Sequence, residues 1–335
     1  MASSPASYRP SSDMMAIAVI VAVLAAVPVV ASLVGDPFLV KIATRVVVFA
    51  IAAVALNLVL GFGGLVSLMH AGLFGIGGYV VAILAFHADD GSRLFDLFPG
   101  TTELSIGLPL AMLVAGAAAA VMGLVSLRTS GVYFIMITLA FNQMLYYFFV
   151  ALQQYGGEDG LQIMSDLTLF GHAMIGRMPF YYGCLVALAL VLILVQRLIN
   201  SRFGMVLRAS AQNERRLTAI GIAPLRYRLT AFALSGAIAG LAGALLAAGQ
   251  QFISPAEMSW VRSGDLVVMC VLGGMARVWG PVLGAAVFLV LEIVLSGWST
   301  HWQLAFGLLI ILVVVSLRGG LIDLLHLVGR RGAPR

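Results

Sequence analysis

Residues 14–34 read MMAIAVIVAVLAAVPVVASLV, 21 consecutive positions without a charged side chain. A helix needs roughly 20 residues to cross the hydrocarbon core of a bilayer, whereas the apolar centre of a secretory leader is shorter, about 7–15 residues. This stretch is therefore expected to be a retained first helix whose solvent is lipid. Working outward, comparable apolar runs recur at 39–60, 64–86, 104–127, 132–152, 179–198, 229–250, 263–276, 281–297 and 303–317. Two of these, 263–276 and 281–297, are short for a crossing and read either as half-helices meeting at a break or as tilted partners in a pair. The expected fold class is all-α: a polytopic membrane protein of about ten transmembrane helices, short or broken ones included.

Composition agrees. Of 335 residues, 61% are hydrophobic and 10% charged, where soluble domains carry about 25% charged residues. No long polar stretch marks a separate soluble domain. The 37 glycines suit membrane helices that approach closely or break. The net charge of +5 sits between apolar runs rather than on a basic face with stacking aromatics, which excludes a nucleic-acid binder. Cys184 and Cys270 both fall inside apolar runs, as small buried hydrophobes rather than a disulfide pair.

The placement of charge orients the runs. The connection 87–103 carries Asp89, Asp90, Asp96 and Glu103 against Arg93, and 153–178 carries Glu158, Asp159 and Asp166 against Arg177. In contrast, 197–228 holds Arg197, Arg202, Arg208, Arg215, Arg216, Arg226 and Arg228 against Glu214 alone. The tail adds Arg318, Arg330, Arg331 and Arg335 against Asp323. Alternating ten spans puts every basic connection, Arg128 and Arg277 included, on one side. That arrangement predicts a cytoplasmic segment at 1–13, a membrane domain at 14–317 and a cytoplasmic tail at 318–335.

The basic loop 199–228 is too long for a simple turn. A short helix is expected at its centre: Ser210 as cap, 211–220 free of Gly and Pro, then Gly221 and Pro224 as stop signals. Leu217 and Ile220 would share one side, with Glu214, Arg215 and Thr218 facing out. Such a helix suits docking by a partner that moves the flanking spans. The plainer alternative is a positive loop with an incidental helix.

Four blocks carry a family resemblance. The first is Leu56-Asn57-Leu58, then Gly63-Gly64-Leu65-Val66-Ser67-Leu68-Met69-His70-Ala71 and Phe74-Gly75-Ile76-Gly77-Gly78-Tyr79. The second is Arg128-Thr129-Ser130-Gly131-Val132-Tyr133 with Thr138-Leu139-Ala140-Phe141. The third is Ser201-Arg202-Phe203-Gly204, Arg208-Ala209, Asn213-Glu214, Ala219-Ile220-Gly221 and Tyr227-Arg228-Leu229. The fourth is Leu272-Gly273-Gly274, Trp279-Gly280-Pro281-Val282-Leu283-Gly284-Ala285 and Arg318-Gly319-Gly320-Leu321. In order and spacing the chain resembles the M-type permease subunit of branched-chain amino acid ABC importers. Met69, Leu73, Gln143 and Met144 depart from the common pattern.

The resemblance implies a permease that works with a second related permease, two cytoplasmic ATPase subunits and an extracytoplasmic solute-binding protein in a bacterial inner membrane. It implies branched-chain or aromatic amino acids as solutes, with urea, amides and aromatic acids as alternatives within the family. It makes 199–228 the ATPase-coupling loop and puts that role on Arg208, Glu214, Arg215, Ala219 and Gly221. The chain is then not an enzyme and binds no cofactor itself, with ATP and Mg on the partner subunits. No phosphate-cradling G-x-x-x-x-G-K-[ST] occurs in the sequence, in keeping with this.

Polar residues inside the runs need a partner or a water-filled cavity. Asn57, Ser67, His70, Asn142 and Gln143 are the candidates for a solute pathway, Ser67 and His70 beside a broken helix. The competing role for each is hydrogen bonding across helices. Asp265 lies three residues from Arg262, close enough to bridge it, and Glu292 lies near the end of its run. The histidines His70, His87, His172, His301 and His326 are scattered and indicate no metal site. An ion-driven secondary transporter would need a relay of carboxylates at the midplane, and an intramembrane enzyme a nucleophile with its base. Neither constellation is visible.

Overall fold

The computed structural model describes residues 10–34, 37–94, 98–169, 171–173, 176–275, 277–297, 303–304, 306–308 and 310–311. The expected span 303–317 lies mostly outside these residues, and the tail 318–335, with His326, wholly so, as does His301. Of the segment 1–13, only the first residues of a helix are described. The chain is a multi-pass, all-α membrane protein. Six of the described helical stretches are long and apolar enough to cross a bilayer.

The helices are α1 (Pro10–Val34), α2 (Pro37–Asn57), α3 (His70–Asp89), α4 (Leu104–Ser126), α5 (Val132–Ala151), α6 (Arg177–Asn200), α7 (Arg202–Gln212), α8 (Glu214–Ala219), α9 (Pro224–Gln250), α10 (Trp260–Gly273) and α11 (Gly280–Ser296). Two-residue antiparallel ladders join the loops: Arg93–Leu94 with Phe98–Pro99, Leu161–Gln162 with Phe252–Ile253, and Thr168–Leu169 with His172–Ala173. Because α6 runs into α7 and α8 runs into α9, the two short helices sit at one end of the bundle. The start of α6 and the end of α9 lie at the other.

The core is a seam of small residues. On α9, Gly236 faces Ala119 of α4, and Gly240 faces Ala111 and Ala115. Gly77 of α3 meets the carbonyl of Gly240, and Gly243 meets that of Phe74. A Cβ at these glycines would collide with backbone or with an alanine Cβ, so only glycine lets the three axes come this close. Between membrane helices there is no water to expel, and packing of this closeness supplies the cohesion instead.

α1 contains Pro28, which lacks the N–H that would bond the carbonyl of Leu24. The hydroxyl of Tyr181 on α6, itself fully buried, donates to that carbonyl at 2.6 Å. The freed backbone group is thereby satisfied across a helix pair, as lipid requires.

Three expectations are corrected. The run 64–86 is not one helix. α2 continues through a π-helical turn, Leu58–Phe62, and the chain then breaks at Gly64 (φ +66°) and stays non-helical until His70. A residue at positive φ ends helical hydrogen bonding, and glycine adopts that region without steric cost. The loop 199–228 holds two helices, α7 and α8, rather than one starting at Ser210. Ser210 lies inside α7, and the cap is Asn213, extended at φ −159°, whose side chain accepts from the N–H of Arg216. Leu217 is buried but Ile220, beyond the end of α8, is 70% exposed, so the two do not share a face.

The short runs form a helical hairpin, α10 and α11, crossing at Gly273 and Gly284 and broken at Gly274 (φ +104°). At about 1.5 Å per residue, 14 and 17 residues give straight helices shorter than the ~30 Å hydrocarbon core. Arg262 bridges Asp265 at 3.3 Å as the spacing suggested, and also Glu257 at 3.0 Å. Glu292 pairs with Arg45 of α2 at 3.5 Å, a partner the sequence did not suggest. Both guanidiniums lie over the ring of Phe49, at 5.6 and 5.4 Å from its centroid. Cys184 and Cys270 are buried and free.

Candidate functional site

Two arginines hold the α7–α8 platform to the bundle. The last four carbonyls of a helix have no partner within it. Arg208 of α7 reaches back to one of these at the end of α6, donating from Nη2 to the carbonyl of Ile199 at 3.2 Å. Arg228, from the first turns of α9, does the same for α7: its Nη2 donates to the carbonyl of Ser210 at 2.8 Å. Its Nη1 also pairs with Glu214 at 2.7 Å. Glu214 is half exposed, so the ion pair contributes at most about 1 kcal/mol. The bond to the Ser210 carbonyl lies deeper and matters more. Phe203 and Tyr227 pack ring to ring across the same joint, 5.7 Å between centroids.

Of the residues expected in the coupling role, Arg208 is half-buried in this joint, while Glu214, Arg215 and Ala219 are exposed on or around α8. Gly221 turns the chain at φ +83° with open space about it. Arg228, the residue that fastens the platform, stood in the sequence as one arginine among seven and within the third family block, but not among the residues given the coupling role. Its signal was its place four residues after the start of the next helix.

On its inner side the platform meets the broken span. A Cβ placed on Gly64 would lie 3.0 Å from that of Ala211 on α7. From there the chain rises to His70, where α3 starts inside the bundle. The first N–H groups of a helix have no intrahelical acceptor, and here they lie in the buried interior. Side chains supply what is missing. Ser67 accepts from the N–H of Met69 at 3.3 Å, Ser263 from Ala71 at 3.2 Å and Asn142 from Gly72 at 2.8 Å. Thr138 accepts from the N–H of Leu68 at 3.2 Å. Asn142 also donates to the carbonyl of Met258 at 2.8 Å, so α3, α5 and the 3-10 turn Pro255–Met258 meet at one amide.

His70 is fully buried. Ser235 of α9 donates to the carbonyl of Ala55, which uses its single proton. It must then accept from His70 Nε2, 2.7 Å away, leaving Nδ1 to accept from Ser67 at 3.2 Å. The chain of donors fixes the tautomer. It also ties α2, α3 and α9 together at the break. Ser235 and Ser263 were missed in the sequence, and Thr138 stood out only within a family block, because a lone hydroxyl in an apolar helix carries no periodic signal.

The five residues expected along a solute path do not form one lining. Ser67, His70 and Asn142 are buried in the network at the start of α3. Asn57 is buried beside the π-turn and donates to the carbonyl of Arg277 at the tip of the α10–α11 hairpin, 3.0 Å away. Gln143 is half-buried on α5, and its amide oxygen has no hydrogen-bond partner among the described residues. A contact chain thus runs from α7 through Gly64 and the π-turn to the hairpin tip.

The comparisons bear on what this arrangement serves. Residues 38–315 match the family model described as "Branched-chain amino acid transport system / permease component". Over 311 residues the chain is 30% identical to the "High-affinity branched-chain amino acid transport system permease protein LivM" of Salmonella typhimurium, covering 85% of this chain and 70% of that one. The protein of the same description from Escherichia coli K12 is similar to the same extent. A "Probable branched-chain amino acid transport permease protein LivH" of Methanocaldococcus jannaschii is 29% identical over 160 residues, 45% of this chain and 47% of that protein. No solved structure matches the chain.

Proposed function

Because the chain belongs to the family of branched-chain amino acid transport permeases, we propose that it is the membrane-spanning subunit of an ATP-driven importer of branched-chain amino acids. The observation that carries the reading is the α7–α8 platform, capped onto the bundle by Arg208 and Arg228 and touching the broken span at Gly64. A cytoplasmic ATPase subunit binds this platform, and ATP with Mg stays on that partner. Its push on α7 reaches Gly64, the π-turn and the hairpin tip, the irregular parts of the fold. π-helical turns inside membrane spans often occur at functional sites. A second permease, a second ATPase and an extracytoplasmic solute-binding protein complete the importer, with both termini of this chain in the cytoplasm of a bacterial inner membrane. Within this reading Ser67, His70 and Asn142 hold the break that moves, and Gln143 offers a free amide oxygen on the α5 side of the path.

The test is uptake of labelled leucine into vesicles holding the assembled importer, with ATP hydrolysis followed in parallel. Glu214→Ala and Gly221→Val are expected to leave assembly intact but to lower leucine moved per ATP by roughly ten-fold, the low end of typical coupling energies between sites. Normal transport by both variants, or flux without any ATPase subunit, rejects the coupling role.

A further inference from the structure

At the end of the bundle opposite the platform, α6 and α9 each pack on α2 and scarcely touch one another. The wedge between them is a cavity of about 430 Å³, within the ~300–1,000 Å³ range of small-molecule sites. Its charges are sorted. Lys41 and Arg45 enter from α2, and Arg177 from the first position of α6. A cation at a helix N-terminus adds to the positive helix end rather than offsetting it, so this wall is strongly positive. The facing wall is the C-terminal turn of α9, Gly249 and Gln250 with Gln251, which presents the negative helix end, and Asp166 stands as the one acid among the described lining residues. Between the two walls the surface is apolar: Val48, Leu245 and Phe180, whose ring rests on Gly249.

A positive wall, a smaller negative one and an apolar floor match one kind of molecule. We propose that this cavity binds a small aliphatic zwitterion, its carboxylate toward Lys41, Arg45 and Arg177, its ammonium toward Asp166 and the last carbonyls of α9, and its side chain on Leu245 and Phe180. The identification as an amino acid rests on the transport reading above, while the charge arrangement does not. Arg45 is shared with Glu292 at 3.5 Å, so Lys41 and Arg177, both exposed, hold most of the carboxylate.

Thr44 lines the same cavity, and the native thiols are buried, so Thr44→Cys is a clean reporter. The full-length chain, in nanodiscs with the subunits that co-purify, is treated with a negatively charged and a positively charged methanethiosulfonate, and labelling of this chain is read by mass. The anionic reagent is expected to react at least ~10-fold faster, the lower bound for charge-focused encounter. Adding Lys41→Gln and Arg177→Gln removes the preference. L-leucine slows the labelling, and leucinamide, which lacks the carboxylate, does not. Equal rates for the two reagents overturn the proposal. So does protection by phosphatidylglycerol nanodiscs and not by leucine, which makes the occupant a lipid phosphate. Should leucine protect the thiol while the importer fails to move it, the site stands and the transport reading falls. Uptake with no protection rejects the site alone.

Discussion

Pro28 removes a backbone donor from the middle of α1, and Tyr181 supplies one from α6. Orphaning a buried acceptor costs about 1–3 kcal/mol. Tyr181→Phe is therefore expected to lower stability by that amount in a thermal or denaturant melt in detergent. Tyr182→Phe, whose hydroxyl is exposed and 3.5 Å from its carbonyl, should change it little. The same reasoning applies to Asn142, which serves both the N–H of Gly72 and the carbonyl of Met258. Asn142→Leu leaves both groups unpaired and should cost about twice as much, roughly 2–6 kcal/mol, while Gln143→Leu should cost far less. Neighbouring polar residues on one helix thus differ in role, and the sequence could not separate them. α5 is apolar almost all round, so its inward phase cannot be read from its pattern. The pairing of Asp265 with Arg262 was legible because both lie on one helix three residues apart. That of Glu292 with Arg45 joins residues 247 positions apart and was not.

Among the elements, α7 and α8 show how a cap outweighs a propensity. The run 211–220 has no Gly or Pro, which favours one helix, but Asn213 followed by Glu214 is also a strong N-terminal signal. Asparagine's side chain competes for backbone N–H groups, and the chain divides there. The platform then depends on Arg228, whose replacement by Met should free α7 from α9 and lower leucine moved per ATP without lowering expression. Exchanging the charges, Glu214→Arg with Arg228→Glu, restores the ion pair but not the bond to the Ser210 carbonyl. Recovery in that double variant, measured in a double-mutant cycle, would show that the ion pair dominates; we expect no recovery. The break after the π-turn was partly legible, since one apolar run ends at 60 and Ser67 and His70 were expected beside a broken helix, but the non-helical stretch up to His70 was not. Backbone groups at its end and at the start of α3 are satisfied by side chains from α5 and α10, which no local reading could assemble.

At the scale of the whole molecule, the lengths of apolar runs revealed the membrane fold because bilayer thickness sets them. They marked 263–276 and 281–297 as short but left open whether half-helices meet at a break or a tilted pair crosses. A hairpin that enters and returns does not change which side the following segment occupies, so the orientation expected from the other loops does not depend on whether the pair crosses fully. The seam of α3, α4 and α9 has no counterpart in hydropathy, because glycine counts the same wherever it faces. Gly240→Val should drive a side chain into α4 at Ala111 and Ala115 at the cost of typical overpacking, about 1–3 kcal/mol or more, and reduce the yield of folded protein in the membrane. Gly264→Ala, where nothing lies nearby, should not. Helices meshed backbone to backbone cannot slide or pivot without first parting. The trio must therefore behave as a keel, and whatever alternates during a transport cycle has to hang from its edges, where α5, the π-turn and the hairpin lie outside the seam.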